Sequence, residues 1–121
     1  MQTLQRKDDD CGAAALSSLL DIPYEDIEAA WLSTLKRPTD ASTFSDLIKV
    51  ARTCGVSLGR VWWSKSNATR ITRARCERGT SHSHWVILYP NRDIWCPWYG
   101  FYPAEDTNYP MPVFSQSLII V

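Results

Sequence analysis

The order of apolar and polar positions divides this chain into a helical first half and a stranded second half. Residues Cys11 to Leu20 (CGAAALSSLL) are rich in Ala and Leu, with apolar side chains wherever a fully buried helix would want them. Asp21 to Pro23 breaks that run, and Pro23 suits the first turn of a second helix. Glu25, Asp26 and Glu28 then lie near that helix's positive end. Ile27, Trp31 and Leu35 fall at i, i+4 and i+8 and make one apolar stripe. Ser42 or Thr43 caps a third helix through Phe44, Leu47, Ile48 and Ala51, and Gly55 is a natural stop.

The pattern changes after Gly55. Val56 to Trp63 reads as a strand, and Ser64 to Ser81 shows no clear period, which predicts mostly loop. HWVILY (84–89) is a short, continuous apolar run of strand formers. Pro90, Asn91, Arg92 and Asp93 form a turn, and IWCPW (94–98) returns as the partner strand. A segment rich in Pro and aromatic residues follows, and SLIIV (117–121) ends the chain as a strand. Helices first and then an antiparallel sheet predict an α+β architecture. No repeat, low-complexity tract or linker interrupts the pattern, so residues 1–121 are expected to form a single domain.

Composition narrows the function classes. Thirteen Lys and Arg balance thirteen Asp and Glu, so charge gives no reason to expect a nucleic-acid or membrane partner. The basic run Arg70, Arg73, Arg75 and Arg78 reads as a solvated loop, because no Gly-rich phosphate loop accompanies it. The N-terminus MQTLQRKDDD lacks an apolar signal region, and no stretch approaches a membrane span. The expected location is therefore a reducing cytoplasm. There the four cysteines, Cys11, Cys54, Cys76 and Cys96, are free thiols, each to be explained by packing, metal or catalysis.

Cys11 is the sharpest of them. It stands directly before Gly12 at the start of a helix, where unpaired N–H groups and the macrodipole favour negative charge. That position alone lowers a thiol's pKa. The Cys11 N–H can donate to a developing oxyanion, and the side-chain amide of Gln5 can supply a second donor. Asp10 beside the thiol would disfavour a thiolate and suits a cap or structural anchor better. A thiol hydrolase also needs a base. The candidates are His82 and His84, and His84 opens the apolar strand.

The segment QRKDDDCGAAALSSLLDIPYEDI resembles the N-terminal motif of papain-like peptidases of the bacteriocin-processing type, the double-glycine leader peptidases. It is also similar to short stand-alone relatives carried by bacteriophages and bacteria. In that family a Gln and a short spacer precede Asp-Cys-Gly and an Ala/Leu-rich helix. The match covers about the first 27 residues. The resemblance implies a papain-like fold, Cys11 as nucleophile, Gln5 in the oxyanion hole and His84 as general base. It implies a peptide or protein substrate, with no cofactor and no metal, and it leaves the oligomeric state open.

This sequence departs from the family at the third member of the site. The family places an Asp or Asn, often in Asp-Pro, on the strand after the histidine strand, to hold the imidazole. Here Cys96-Pro97 occupies that place. Asp93 is the nearest carboxylate, but it lies in the turn, roughly 15 Å along the strand from His84. Cys96 and Asp93 are both kept as possible third members.

The leading function is cleavage of a peptide or isopeptide bond through a Cys11 thioester. The alternative is a weak or inactive papain-like module that sequesters a partner protein. The missing acid and the aromatic cluster Trp62, Trp63, Trp95, Trp98, Tyr99, Phe101 and Tyr102 are the features that suggest it. A structural zinc site built from the cysteines and histidines is a further rival, although no CxxC or CxxH pair exists.

Overall fold

The computed structural model describes residues 2–6, 9–62, 67–76, 82–113 and 116–121. Three helices precede the sheet: α1 (Cys11–Leu20), α2 (Tyr24–Leu35) and α3 (Phe44–Thr53). The strands are β1 (Leu58–Trp62), β2 (Arg70–Arg75), β3 (His84–Leu88), β4 (Ile94–Cys96), β5 (Gly100–Tyr102), β6 (Met111–Pro112) and β7 (Gln116–Ile120). Among the described residues they form a seven-stranded antiparallel sheet in the order β1-β7-β2-β3-β4-β5, with β6 beside β2. This is the α+β arrangement that the pattern predicts.

The helix signals act as the local chemistry requires. Thr43 and Asp46 form a reciprocal capping box at the start of α3. Gly55 follows α3 with φ 84°, a conformation that only glycine adopts without strain. Pro23 lies one residue before α2, at its N-cap. The stripe of α2 is buried at Ile27 and Trp31, with Leu35 packed against the same core. α1 is buried from Cys11 to Ser18, which is why its sequence shows no polar face.

The helices cover one face of the sheet. Ile71, Trp85, Ile87, Trp95 and Leu118 point from the strands into the core shared with α1, α2 and α3. The opposite face has its own smaller core of Ala74, Cys76, Val86, Leu88, Ile94 and Cys96, against which Tyr102 and Tyr109 pack. β3 is therefore apolar on both sides, and this explains the unbroken run WVIL.

One expectation is corrected. Within the stretch from Ser64 to Ser81, expected to be mostly loop, Arg70–Arg75 form β2, which lies between β7 and β3, and residues 64–66 and 77–81 lie outside the described residues. Arg70 is buried and Arg73 half-buried there, so these arginines do not belong to a solvated loop. A strand reading RITRAR has too few apolar residues to show a period, and its pairing comes from its neighbours. Trp63 and Arg78 lie outside the described residues. The aromatic-rich segment after residue 98 adds two short strands, β5 and β6, that periodicity did not reveal.

Candidate active site

Cys11 is the first residue of α1, and its placement depends on the buried Asp10 before it. The Asp10 side chain does not cap α1. Its two oxygens accept the Arg6 N–H at 3.2 and 2.9 Å, and Oδ2 also accepts the Tyr24 hydroxyl at 2.6 Å. Asp10 thus anchors the incoming chain to α2, as its charge beside a thiol suggested. Burial, together with this bond, pushes the Tyr24 hydroxyl up to about 12. Gln5 is buried, and its N–H donates to the Pro97 carbonyl at 3.0 Å, which ties the segment before α1 to the end of β4.

The Cys11 sulfur accepts the backbone N–H of Trp85 at 3.5 Å. α1 can come this close to β3 because Gly12 has no side chain. A Cβ there would lie 2.6 Å from Ser42 Oγ and 3.2 Å from Trp85 Cδ1. Cys11 and His84 line the same cavity, of about 610 Å³. Arg73 of β2, Trp98 and Tyr99 beyond β4, and Asp9, Ala41, His82, Ser83 and Trp85 complete its lining.

Burial pushes the Cys11 thiol above its ordinary pKa. The Trp85 N–H and the Arg73 guanidinium pull it down, and Cys96 and Asp10 add to the rise. The helix mouth alone argues for a lowered value, but loss of solvent outweighs the favourable groups here. The resting thiol is therefore protonated, and attack requires a base.

His84 is half-buried at the first position of β3. Its ring meets Tyr99 edge-on, with centroids 5.6 Å apart, and its Nδ1 is shielded from solvent. His82 also lines the cavity, but it is exposed in the segment before the strand. Both histidines thus reach the cavity, and His84 is the one fixed by the sheet.

Cys96 is completely buried in the smaller core. The pairing Ile87↔Trp95 and Leu88↔Ile94 runs on to set Cys96 beside Val86, one diagonal step from His84 on the same face. The Cys76 thiol lies in the same core and donates to the Ala74 carbonyl at 4.0 Å. Interaction with Cys76 and with the backbone N–H groups of Tyr99 and Trp98 lowers the Cys96 pKa against the effect of burial, while Cys76 is pushed up. Asp93 stands at the far end of the hairpin. Its oxygens accept the Ala104 N–H at 3.0 Å and the Asn91 amide at 2.8 Å, so both are engaged within the turn region.

Sequence reasoning missed Arg73 as a cavity residue, and nothing in the local pattern RITRAR marked it. Trp98 and Tyr99, two members of the aromatic cluster, form part of the cavity wall. Among the described residues no three His, Cys, Asp or Glu side chains converge as metal ligands. Among the same residues no helix is long and apolar enough to cross a membrane.

No protein-family model matches the chain, and no curated protein matches it in sequence. Solved structures do match in fold. The double-glycine motif protease from an AMS/PCAT transporter, crystallised with its leader peptide, aligns with a TM-score of 0.69 at 19% identity, covering 99% of this chain and 89% of that one. The peptidase domain of Streptococcus ComA, a bifunctional ABC transporter of a quorum-sensing pathway, aligns with a TM-score of 0.70 at 14% identity, covering 98% and 95%. The peptidase domain of Streptococcus mutans ComA aligns with a TM-score of 0.64 at 14% identity, covering 99% and 98%. The chain thus has the fold of papain-like double-glycine peptidase domains, in line with the resemblance of its first 27 residues.

Proposed function

We propose that this protein is a cysteine peptidase with Cys11 as nucleophile and His84 as general base. The observation that carries the reading is the shared cavity: the thiol at the mouth of α1 and the imidazole at the start of β3 line one solvent-open space. The fold neighbours support a peptidase-like activity and do not favour the alternative of a non-catalytic binding module. A leader peptide bound to one of them supports an extended peptide as substrate.

The chemistry follows from the electrostatics. Because burial keeps the thiol protonated, His84 takes its proton as sulfur attacks the scissile carbonyl. The new C–S bond moves the carbonyl electron pair onto oxygen. The Cys11 N–H, at the first position of the helix and outside its ladder, faces that oxyanion, with the Gln5 amide as second donor. Collapse expels the amine, which leaves with the proton held on His84, and a thioester remains. Water then attacks the thioester, His84 accepts its proton, and the acid and the free thiol are released.

Cys96 takes the place of the carboxylate that orients the imidazole. Its pKa is lowered by Cys76 and by the N–H groups of Tyr99 and Trp98, and it sits on the strand next to His84. Asp93 is set aside for this role because its oxygens are engaged in the turn region.

The test is cleavage of an internally quenched peptide library that includes double-glycine sequences, with mass spectrometry of the trapped thioester. Wild type should cleave a subset and accumulate an acyl adduct on Cys11, whereas Cys11→Ala and His84→Ala should show neither while remaining folded. Full activity in either variant would remove that residue from the site.

A further inference from the structure

Arg73 is a cation held in the candidate site for which the chemistry above has no use as a reactant. It sits in β2 opposite Trp85, and its guanidinium lies over the Trp85 ring, 4.8 Å from the centroid. Nε donates to Ser83 Oγ at 3.0 Å and Nη2 to the Ser83 carbonyl at 2.8 Å. A guanidinium has five N–H donors in a fixed plane, and these two bonds leave most of the fork unused. Among the described residues no carboxylate pairs with Arg73, and Asp9, exposed in the lining of the same cavity, makes no ion pair with it.

Removing part of a guanidinium from water has a cost, which the Trp85 ring and Ser83 offset only in part, and a bound anion would offset more of it. The stacking on Trp85 and the two bonds to Ser83 hold the guanidinium in one pose, so its remaining donors are arranged before any ligand arrives. Arg73 and Cys11 line the same cavity and the Arg73 charge acts on the Cys11 sulfur, so an anion that it receives lies near the attacking atom.

We propose that Arg73 is the specificity-determining residue of this site and selects peptides that carry a carboxylate next to the scissile bond. The proposal rests on the reading of Cys11 as nucleophile. The carboxylate is either an Asp or Glu side chain or the free C-terminus of the peptide, and the geometry of recognition is the same for both.

The test compares two alkylating reagents that differ in charge, iodoacetate and iodoacetamide, with Cys11 identified by peptide mapping. Both react with the same thiolate, so their rate ratio cancels the effect of thiol pKa and reports the local field. Relative to glutathione at the same pH, the iodoacetate-to-iodoacetamide ratio at Cys11 should be raised about tenfold. It should fall towards the glutathione value in about 0.5 M salt and in Arg73→Gln, and return in Arg73→Lys. Protection of Cys11 from iodoacetamide then separates the two carboxylate sources. The probes are N-acetyl-aspartyl-glycinamide, N-acetyl-glycyl-glycine as the free acid, and N-acetyl-asparaginyl-glycinamide as the neutral control.

A glutathione-like ratio in wild type, with Cys11 still labelled by iodoacetamide, overturns the role of Arg73 and leaves the nucleophile reading standing. No labelling of Cys11 by either reagent overturns both. Equal protection by the neutral and the acidic probes also sinks the proposal. If Arg73→Gln does not fold, the wild-type ratio and its salt dependence decide alone.

Discussion

The backbone N–H of Trp85 points at the sulfur of Cys11 from 3.5 Å away, joining the first turn of α1 to β3 across 74 positions of sequence. Because the donor is main chain, the contact depends on how closely helix and strand approach rather than on a side chain. Gly12 sets that approach. Its replacement by Ala would put a methyl group 3.2 Å from Trp85 Cδ1 and 3.3 Å from Leu47 Cδ2, besides the closer contact with Ser42. Gly12→Ala should therefore cost about 1–3 kcal/mol of stability through overpacking. Thermal unfolding measures this cost, and peptide cleavage should fall further than the lost stability explains.

The pKa of Cys11 gives a pH signature. Burial raises it, so iodoacetamide labelling of Cys11, which needs the thiolate, should reach half its maximal rate at a higher pH than an ordinary thiol. Removing the Arg73 charge should move that midpoint higher still. The linked stability effect has a definite sign. A group bound more tightly to its proton in the folded state stabilises the fold fully below its unfolded pKa, and that contribution is lost as pH rises through the folded value. Denaturant titrations should show a decline on the alkaline side that is smaller in Cys11→Ala.

Tyr24 provides a separate alkaline transition. Its hydroxyl, pushed up to about 12 from an ordinary value of 10.0, should withdraw stability as pH rises between those two points. Tyr24→Phe should flatten that part of the profile. At neutral pH the same change removes a donor from the buried Asp10 carboxylate, which costs about 1–3 kcal/mol. Since Asp10 also holds the Arg6 N–H, labelling of Cys11 in this variant should become less selective.

Cys96 distinguishes packing from polarity. Cys76 and the backbone N–H groups of Tyr99 and Trp98 lower its pKa, so Cys96→Asp brings a carboxylate to a position whose surroundings favour negative charge. That variant should stay folded, and if Cys96 orients His84 it should cleave peptides at least as fast as wild type. Cys96→Val has a similar volume but no acceptor, and should lose about 1–3 kcal/mol. Circular dichroism and denaturant midpoints of the two variants make the comparison. A folded Val variant of unchanged stability would show that the donors around Cys96 contribute little.

Local pattern made much of the fold legible. The all-round apolar run of α1, the stripe of α2, the cap at Thr43 and the unbroken HWVIL strand each reflect forces that act within one turn or one strand. The place of Cys11 at the start of α1 was legible too, because a cysteine before a glycine at a helix start is a local arrangement. The sequence could not show that loss of solvent would raise its pKa, since burial is set by segments far along the chain. Nor could it show β2. Arg70, Thr72 and Arg73 read as polar loop until β7 and β3 flank them and supply the hydrogen bonds that make them a strand. The cavity cation, the polar surroundings of Cys96 and the cavity shared by Cys11 and His84 all bring together groups that are distant in sequence. Composition and periodicity specify what each segment buries, and only tertiary packing decides which buried groups share one site.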